Sequence, residues 1–377
     1  MKKILIITRN LPPLIGGMER LNWHIADELS KDHDVSIISY IQAKKTAPKK
    51  AYFYGVPLNP LLFFLIFSFF KTFWVCMVYR PHIIFAGSGL TAPIAVFWAK
   101  IFRKKSMIYI HGLDIENKSI IYRKVWIPFI QKANHIIVNS TPTKELCIKN
   151  HISPTKISLI HPGVDFPPRP VNVQHIQHLK DKFGLNNKKV LISVGRLTER
   201  KGLNEFIQHS LPQIVKHFPN VLLLIVGDTA SHALNKNMQT PMQLLKTAKA
   251  HHVDQHIIFT GKVTDLELSS LFYLSNIHVF PVKYIPEDPE GFGMVAIEAA
   301  THGTPTIAFA AGGIIDAVQH NKTGYLIENQ DYQNMTETVI QVLKNKNLIS
   351  DQECIQYAEK FAWYNLKNKF EKVIVIL

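Results

Sequence analysis

The sequence contains few cysteines and few charged residues, and both shortages limit what the protein can be. Its three cysteines (Cys76, Cys147 and Cys354) are scattered and odd in number, so they form neither a metal-ligand spacing nor a complete disulfide framework. Charged residues make up 19% of the chain against 47% apolar residues, a balance that excludes a disordered protein. The sequence predicts a globular protein of a reducing compartment, and its 377 residues suffice for two domains.

Acidic residues are also in short supply. The chain has 28 Asp and Glu against 43 Lys and Arg, which gives a formal charge of +15. Such a charge attracts nucleotide phosphates, nucleic acid or acidic membrane surfaces. Basic motifs interleaved with aromatic residues are missing, which argues against a nucleic-acid binder. No Gly-x-Gly-x-x-Gly follows the first predicted strand, which argues against an NAD enzyme.

Long apolar runs are limited to one segment, residues 61–78, in which Lys71 is the only charged residue. At the N-terminus only residues 4–7 are apolar before Thr8, too few for a signal peptide. The long segment is open to three interpretations: a membrane-spanning helix, a core helix, or a helix that also presents apolar surface to a membrane. Ser68, Lys71 and Thr72 share one narrow helical face, which predicts a widely buried helix with a thin hydrated stripe. Nearby basic residues can hold anionic headgroups or simply occupy solvated loops: Lys44, Lys45, Lys49, Lys50, Arg103, Lys104 and Lys105.

Short β-branched runs alternate with amphipathic stretches along the chain, which is typical of βα units and a parallel sheet. The first half predicts a helix at 18–30 and strands at 3–8, 35–40, 83–86, 106–110, 135–138 and 157–160. Dense prolines at 161–170 then indicate an interdomain linker. The second half predicts strands at 190–194, 221–226, 256–260, 277–280 and 305–309, followed by one or two helices at 351–377.

The most informative motif runs from Glu290 through Gly-Phe-Gly-Met-Val-Ala-Ile to Glu298. Its Gly-x-Gly turn lets backbone N–H groups approach a ligand, and the N-terminus of the helix that follows offers unpaired donors with a partial positive charge. That arrangement suits a diphosphate. Glu298 on the helix can accept hydrogen bonds from vicinal hydroxyls such as a ribose edge, and Glu290 can face a second polyol. The alternative is a pair of acids that face water.

A basic loop in the same half follows a predicted strand and contains Arg196 and Lys201. An arginine grips phosphate oxygens in bidentate fashion and a lysine adds a mobile charge, so the pair can neutralise a leaving diphosphate. The alternative is a solvated basic loop. Ligands of such sheets bind outside the carboxyl ends of the strands, where this loop and the Glu290 turn are both expected.

These two motifs resemble those of retaining GT-B glycosyltransferases of family GT4. The resemblance implies an α/β GT-B fold: two Rossmann-like, doubly wound domains whose parallel sheets face an interdomain cleft. Residues 1–166 are expected to form the acceptor-side domain and residues 167–361 the nucleotide-sugar-binding domain. A C-terminal helix at about 362–377 is expected to pack back on the first domain.

The resemblance also implies a role for individual residues. Arg196 and Lys201 would contact the donor diphosphate, Glu290 the hydroxyls of the donor sugar, and His111 that sugar from the first domain. Further donor-binding positions are Gly16, Gly17, Lys262, Val263, Phe292, Gly293, Met294, Val295 and Glu298. Asp114 and Asn139 are acceptor candidates, with helix capping as the alternative for both positions. No metal is required, because the basic groups and the helix N-terminus can stabilise the leaving diphosphate.

The expected activity is transfer of a hexose-type sugar from a UDP- or GDP-sugar, with retention of configuration. The expected acceptor is a glycan or a lipid-linked molecule in cell-surface polysaccharide or lipopolysaccharide synthesis. The protein is expected in the cytoplasm, where it can associate peripherally with the inner face of the membrane through the segment at 61–78. Two alternatives stay open at this point: a catalytically silent GT-B scaffold at a membrane, and a sugar-nucleotide epimerase.

Overall fold

The computed structural model describes residues 1–168, 172–228, 238–286 and 288–377. The chain divides into two compact units. The first contains Met1–Gly163 and Trp363–Leu377, and the second contains Val164–Ala362. The predicted linker at 161–170 contains the boundary between the two units, and its residues 169 and 170 lie outside the described part of the chain.

The first unit contains a seven-stranded parallel sheet with the order β3-β2-β1-β4-β5-β6-β7. Its strands are β1 (Lys3–Ile7), β2 (Asp34–Tyr40), β3 (Tyr52–Val56), β4 (Ile83–Ala86), β5 (Lys105–Ile110), β6 (His135–Val138) and β7 (Ile157–Leu159). Six of these strands lie where the sequence predicts them, within a residue or so at their ends. The edge strand β3 was not predicted.

The second unit contains a six-stranded parallel sheet with the order β10-β9-β8-β11-β12-β13. Its strands are β8 (Lys189–Val194), β9 (Val221–Val226), β10 (Ile257–Gly261), β11 (Ile277–Phe280), β12 (Thr306–Phe309) and β13 (Gly324–Ile327). The edge strand β13 was not predicted. All six residues of the central strand β9 are buried, as expected for a parallel strand covered on both faces.

Helices connect the strands of both sheets. They are α1 (Gly17–Leu29), α2 (Leu61–Tyr79), α3 (Ala92–Ile101), α4 (Leu113–Glu116), α5 (Ile127–Gln131), α6 (Thr141–Lys149), α7 (Val173–Lys182), α8 (Leu203–His209), α9 (Leu211–His217), α10 (Pro241–Ala250), α11 (Asp265–Leu274), α12 (Met294–Thr301), α13 (Ile314–Ala317), α14 (Tyr332–Lys344), α15 (Asp351–Glu359) and α16 (Trp363–Ile376). This alternation of parallel strands and helices gives each unit a doubly wound, Rossmann-like architecture.

The C-terminal helix α16 belongs to the first unit. Its Trp363 stacks on His24 of α1 with 3.8 Å between the ring centroids. Further along, Phe370 is fully buried and its ring lies edge-on to that of Phe85 in β4. These aromatic contacts fix the helix on the side of the sheet that α1 covers.

The long apolar helix α2 differs from the prediction in its orientation. Ser68 and Thr72, expected on a hydrated stripe, are both fully buried. The hydroxyl of Thr72 donates a hydrogen bond to the backbone carbonyl of Ser68 at 2.7 Å, so this polar group is satisfied inside the fold. The interpretation as a plain core helix is also wrong, because only 28% of its most apolar window is buried. One apolar side of α2 packs into the core through Phe64 and Val75, and a second apolar side faces outward.

Candidate active site

The site residues predicted in the second half gather at the carboxyl edge of the second sheet. Arg196 follows β8, Lys262 follows β10, and Glu290 lies on the connection from β11 to α12. Since all six strands are parallel, their carboxyl ends share this edge. Ligands of doubly wound sheets bind at this kind of edge.

A buried ion cluster forms the centre of this edge. The ammonium group of Lys201 lies 2.9 Å from Oε2 of Glu290, and the guanidinium of Arg200 contacts the same oxygen. Nε of Arg200 also lies 3.4 Å from a carboxylate oxygen of Asp288. Lys201 is further held over the ring of Phe280, 4.6 Å from its centroid. Two cations therefore grip one buried carboxylate and fix its position.

This cluster keeps Glu290 ionised. Burial alone would raise its pKa, but the charges of Arg200 and Lys201 outweigh that effect and lower the pKa to about 2. Burial lowers the pKa of Lys201, and Glu290 opposes that shift. The pKa of Arg200 would fall on burial, but Glu290 and Asp288 raise it instead. At neutral pH Glu290 accepts hydrogen bonds and is not a proton donor.

Helix α12 begins directly after the Glu290 turn. Its N-cap, Gly293, has a φ of 87° and no side chain to accept the N–H groups of the first turn. Phe292 is buried in an apolar core cluster of the unit, and the partly buried Met294 and Val295 pack against such clusters. Glu298 lies on the same helix and is half-buried.

A second glycine pair braces the turn. The N–H of Gly313 donates to the carbonyl of Glu290 at 2.8 Å. Gly312 has a φ of 54°, and a Cβ atom there would collide with the backbone of Glu290. A side chain at Gly313 would similarly strike the carbonyl of Gly291. The backbone of residues 290–292 is therefore positioned by the loop that follows β12.

Two further predicted positions lie at the carboxyl edge of the same sheet. Arg196 is exposed, and its charge contributes to the lowered pKa of Lys201. Lys262 is exposed as well, whereas the side chain of Val263 packs against an apolar core cluster. Gly261 before them has a φ of 68°, and its carbonyl accepts from the N–H of Gly227 at 3.0 Å.

His111 lies at the carboxyl edge of the first sheet, directly after β5, and is buried. Its Nε2 lies 3.0 Å from the carbonyl oxygen of Gly87, which follows β4. A carbonyl only accepts, so Nε2 carries the proton and Nδ1 is the acceptor of the neutral ring. This tautomer suits a group that receives a hydrogen bond from a substrate hydroxyl.

The two acceptor candidates of the first half support the loop around His111. A carboxylate oxygen of Asp114 accepts the backbone N–H of His111 at 2.9 Å. Asn139 is buried, and its amide donates to the carbonyl of His111 at 3.4 Å. Ser140 is the N-cap of α6 and accepts the N–H of Thr143, so the capping alternative applies to Ser140. Gly16 and Gly17 lie at the N-terminus of α1, with Gly16 as its N-cap.

Sequence reasoning missed Arg200 and Asp288. The signal for Arg200 was its position next to Lys201, but a basic residue beside another gives no sign of a buried ion pair.

Among the described residues, no cluster of three or more His, Cys, Asp or Glu side chains has the arrangement of a metal site.

The paired doubly wound units are the architecture of GT-B glycosyltransferases, and solved glycosyltransferase structures share this fold. The protein HepE of Anabaena, crystallised with UDP, matches with a TM-score of 0.83 over 100% of both chains at 19% identity. The structure of WaaG, a glycosyltransferase involved in lipopolysaccharide biosynthesis, matches with a TM-score of 0.69 over 98% of this chain and 99% of that one, at 15% identity. The expected GT-B fold is thereby confirmed.

Two family models place the chain within this class. Residues 15–166 match Glycosyltransferase Family 4, and residues 176–361 match Glycosyl transferases group 1. The two models together cover most of the chain, which belongs to the GT4-type glycosyltransferase family that they describe.

Curated relatives are glycosyltransferases with different substrates. The D-inositol 3-phosphate glycosyltransferase of Mycobacteroides abscessus is 26% identical over 239 residues, 62% of this chain and 50% of the relative. A GDP-mannose-dependent phosphatidylinositol monomannoside mannosyltransferase of Mycolicibacterium smegmatis is 23% identical over 348 residues, 89% of this chain and 88% of the relative. The chain spans about half the length of the first of these relatives.

Proposed function

We propose that the protein transfers a hexose-type sugar from a UDP- or GDP-sugar to a glycan or lipid-linked acceptor, with retention of anomeric configuration. The observation that carries the proposal is the carboxylate of Glu290, only 15% exposed and paired with Arg200 and Lys201 immediately before the N-terminus of α12. This places an ionised carboxylate, a lysine and unpaired backbone donors together at the carboxyl edge of a doubly wound sheet.

In this proposal the second unit stabilises the leaving diphosphate. Lys201 uses one of its three N–H groups on Glu290, so the other two can reach phosphate oxygens. Arg196 is exposed at the same edge and adds a bidentate contact. The first-turn N–H groups of α12 supply fixed dipoles. Together they neutralise the negative charge that grows as the glycosidic bond breaks, with no obligatory metal.

The carboxylates and the histidine position the sugar and the ribose. Glu290, ionised and held by two cations, accepts hydrogen bonds from hydroxyls of the donor sugar. Glu298 is assigned to the ribose hydroxyls and His111 to the donor sugar through its Nδ1 acceptor. Gly16, Gly17, Lys262 and Val263 are assigned to the donor through their backbone groups.

The relatives support the substrate classes. The HepE structures contain UDP or UDP-glucose, and the M. smegmatis relative is described as GDP-mannose-dependent. For this reason both UDP-sugars and GDP-sugars are proposed as donors. The M. smegmatis relative is named for phosphatidylinositol monomannoside, and the structural neighbour WaaG is described as involved in lipopolysaccharide biosynthesis. We assign this protein to cell-surface polysaccharide or lipopolysaccharide synthesis, in the cytoplasm and peripherally on the inner face of the membrane.

Donor binding is tested by thermal unfolding with UDP, GDP, ADP and their sugar conjugates. A nucleotide at a hundred times its dissociation constant is expected to add about 2.7 kcal/mol of stability, a shift of roughly 2–4 °C. Glu298→Ala is expected to lose most of the shift, because the ribose hydroxyls lose their acceptor. Glu337→Ala, which removes an exposed carboxylate from α14, should keep it. An equal shift in the wild type and Glu298→Ala would refute the assignment of Glu298.

A further inference from the structure

Helix α2 is apolar on its exposed side as well as on its buried side, which is unusual for a surface helix. Nine large apolar side chains on one arc of the helix are 42–65% exposed, among them Phe63, Phe67, Phe70, Trp74, Met77 and Val78. The opposite side is buried and holds the polar Ser68 and Thr72 together with apolar residues such as Phe64 and Val75. A helix in water normally turns its apolar stripe inward. We call these nine residues the outer face of α2: Leu62, Phe63, Ile66, Phe67, Phe70, Phe73, Trp74, Met77 and Val78.

Packing fixes this orientation. The ring of Trp98 in α3 lies 4.8 Å from that of Phe69 and 5.1 Å from that of Phe73. The indole N–H of Trp98 also donates to the carbonyl of Phe69 at 2.9 Å. Rotating α2 to bury its outer face would break this aromatic cluster and expose Ser68 and Thr72. The outer face is therefore a permanent feature of the first unit.

Helix α2 does not span a bilayer in this fold, although among the described residues it is the one helix long and apolar enough to do so. Strand β3 before it and strand β4 after it belong to the same sheet, so both ends of the helix remain on one side of a membrane. The fold instead permits the helix to lie in the interface plane, with its outer face among the lipid chains.

The segment of the chain that contains α2 carries charge of one sign. Between Asp34 and Asp114 the sequence contains no acidic residue and ten basic ones. Four of the basic residues are found near the C-terminal end of α2. Arg80 is its C-cap, Lys105 starts β5 opposite the start of β4, and Lys104 is close enough to influence the pKa of Cys76 in the last turn. Arg103 lies in the same connection. In the described part of the chain, none of these four forms an ion pair with a carboxylate.

We propose that the outer face of α2 docks on an anionic lipid bilayer. A bilayer fits better than a protein partner because the outer face offers no hydrogen-bonding side chain except the indole of Trp74, whereas protein interfaces carry regular hydrogen bonds. Lys71 lies at the edge of the face, 5.4 Å from the ring centroid of Trp74, a pairing suited to the headgroup level. The basic residues at the end of the helix then meet lipid phosphates.

The test is co-sedimentation with vesicles of phosphatidylcholine, with and without phosphatidylglycerol. The wild type is expected to bind the anionic vesicles, and added salt should weaken the binding. Phe67→Glu with Phe70→Glu is expected to reduce the partition coefficient about tenfold or more, because two half-exposed rings no longer enter the lipid. Phe67→Ser with Phe70→Ser should also reduce the partition coefficient. Because serine adds no charge, this loss would come from the missing apolar contact and not from charge repulsion.

The matched control is Met242→Glu with Val375→Glu, at positions 78% and 79% exposed on α10 and α16. This control changes the net charge by the same amount as the Phe67 and Phe70 glutamate variant. Its vesicle binding should change less than about twofold, because only the net charge differs from the wild type. Absence of wild-type binding, or equal losses in both double variants, would overturn the proposal. So would a wild-type dimer that the Phe67 and Phe70 changes convert to a monomer without affecting vesicle binding. Vesicle binding requires no donor, so this result is independent of the proposed activity.

Discussion

Replacing Glu290 by Gln is expected to lower kcat/KM about a hundredfold or more in a glycosyl-transfer assay. In the proposed mechanism the carboxylate holds donor hydroxyls while positive charge develops at the anomeric carbon. A single preorganised electrostatic contact of this kind is worth about 10²–10³ in rate. The amide of Gln keeps the shape but loses the charge that Arg200 and Lys201 hold in place.

The control for this experiment is Asp288→Asn. Asp288 shares Arg200 with Glu290, but its carboxylate contacts only the far side of the guanidinium, at Nε. Both substitutions weaken the same buried ion cluster, and removing a partner from such a cluster costs about 3–5 kcal/mol at most. Circular dichroism should show both variants folded. Near-normal turnover in folded Glu290→Gln would contradict its assigned role, as would an equal loss of turnover in Asp288→Asn.

Lys201→Met is expected to lower kcat about a hundredfold or more and to weaken nucleoside diphosphate binding. The substitution removes the cation that faces both Glu290 and the proposed diphosphate position, which leaves only Arg196 and the N-terminus of α12 to offset the charge of the transition state. Methionine fills most of the space over Phe280, and Glu290 keeps its contact with Arg200, so the fold should survive. Single-turnover kinetics and nucleotide titration measure the two effects separately.

Lys283→Met is the matched control for that variant. Lys283 is also a buried lysine after a strand of the same sheet, and its ammonium group pairs with Glu205. If buried lysines at this edge served only the fold, both variants would lose stability and activity together. The proposal expects the catalytic loss in Lys201→Met alone.

Most of the sheet architecture could be predicted from the sequence, because a parallel strand buried on both faces is a continuous apolar run, as in Val221–Val226. The missed strands β3 and β13 are both edge strands. An edge strand has one neighbour and partly exposed residues, so Tyr52–Val56 and Gly324–Ile327 lack the strong pattern of the central strands.

The orientation of α2 could not be predicted, because periodicity shows that polar residues share a face but not which way the face points. A stripe of Ser68 and Thr72 normally faces water, and only the packing of α3 against Phe69 and Phe73 reveals that it faces inward. The sequence did offer the docking interpretation as one of three alternatives. The structure supports it by showing which side is exposed.

The grouping of the site residues at sheet edges followed from the rule that parallel strands share their carboxyl ends. The partners of Glu290 did not follow from that rule. Arg200 is 90 residues away in sequence, and the spacing of charges along the chain says nothing about which of them fold against one another. The roles of His111, Glu290 and Glu298 in substrate binding remain predictions.

The most direct test of the central claim is to follow the reaction by proton NMR. The nucleotide sugar that binds best is incubated with the enzyme and a bacterial lipid extract, and the anomeric signals of donor and product are compared. The account predicts acceptor-dependent release of nucleoside diphosphate and a product with the donor's anomeric configuration. An inverted product would contradict the retaining mechanism. Two outcomes would contradict the proposed transferase function. One is epimerisation of the donor in the absence of an acceptor, and the other is binding of the donor with no transfer to any acceptor.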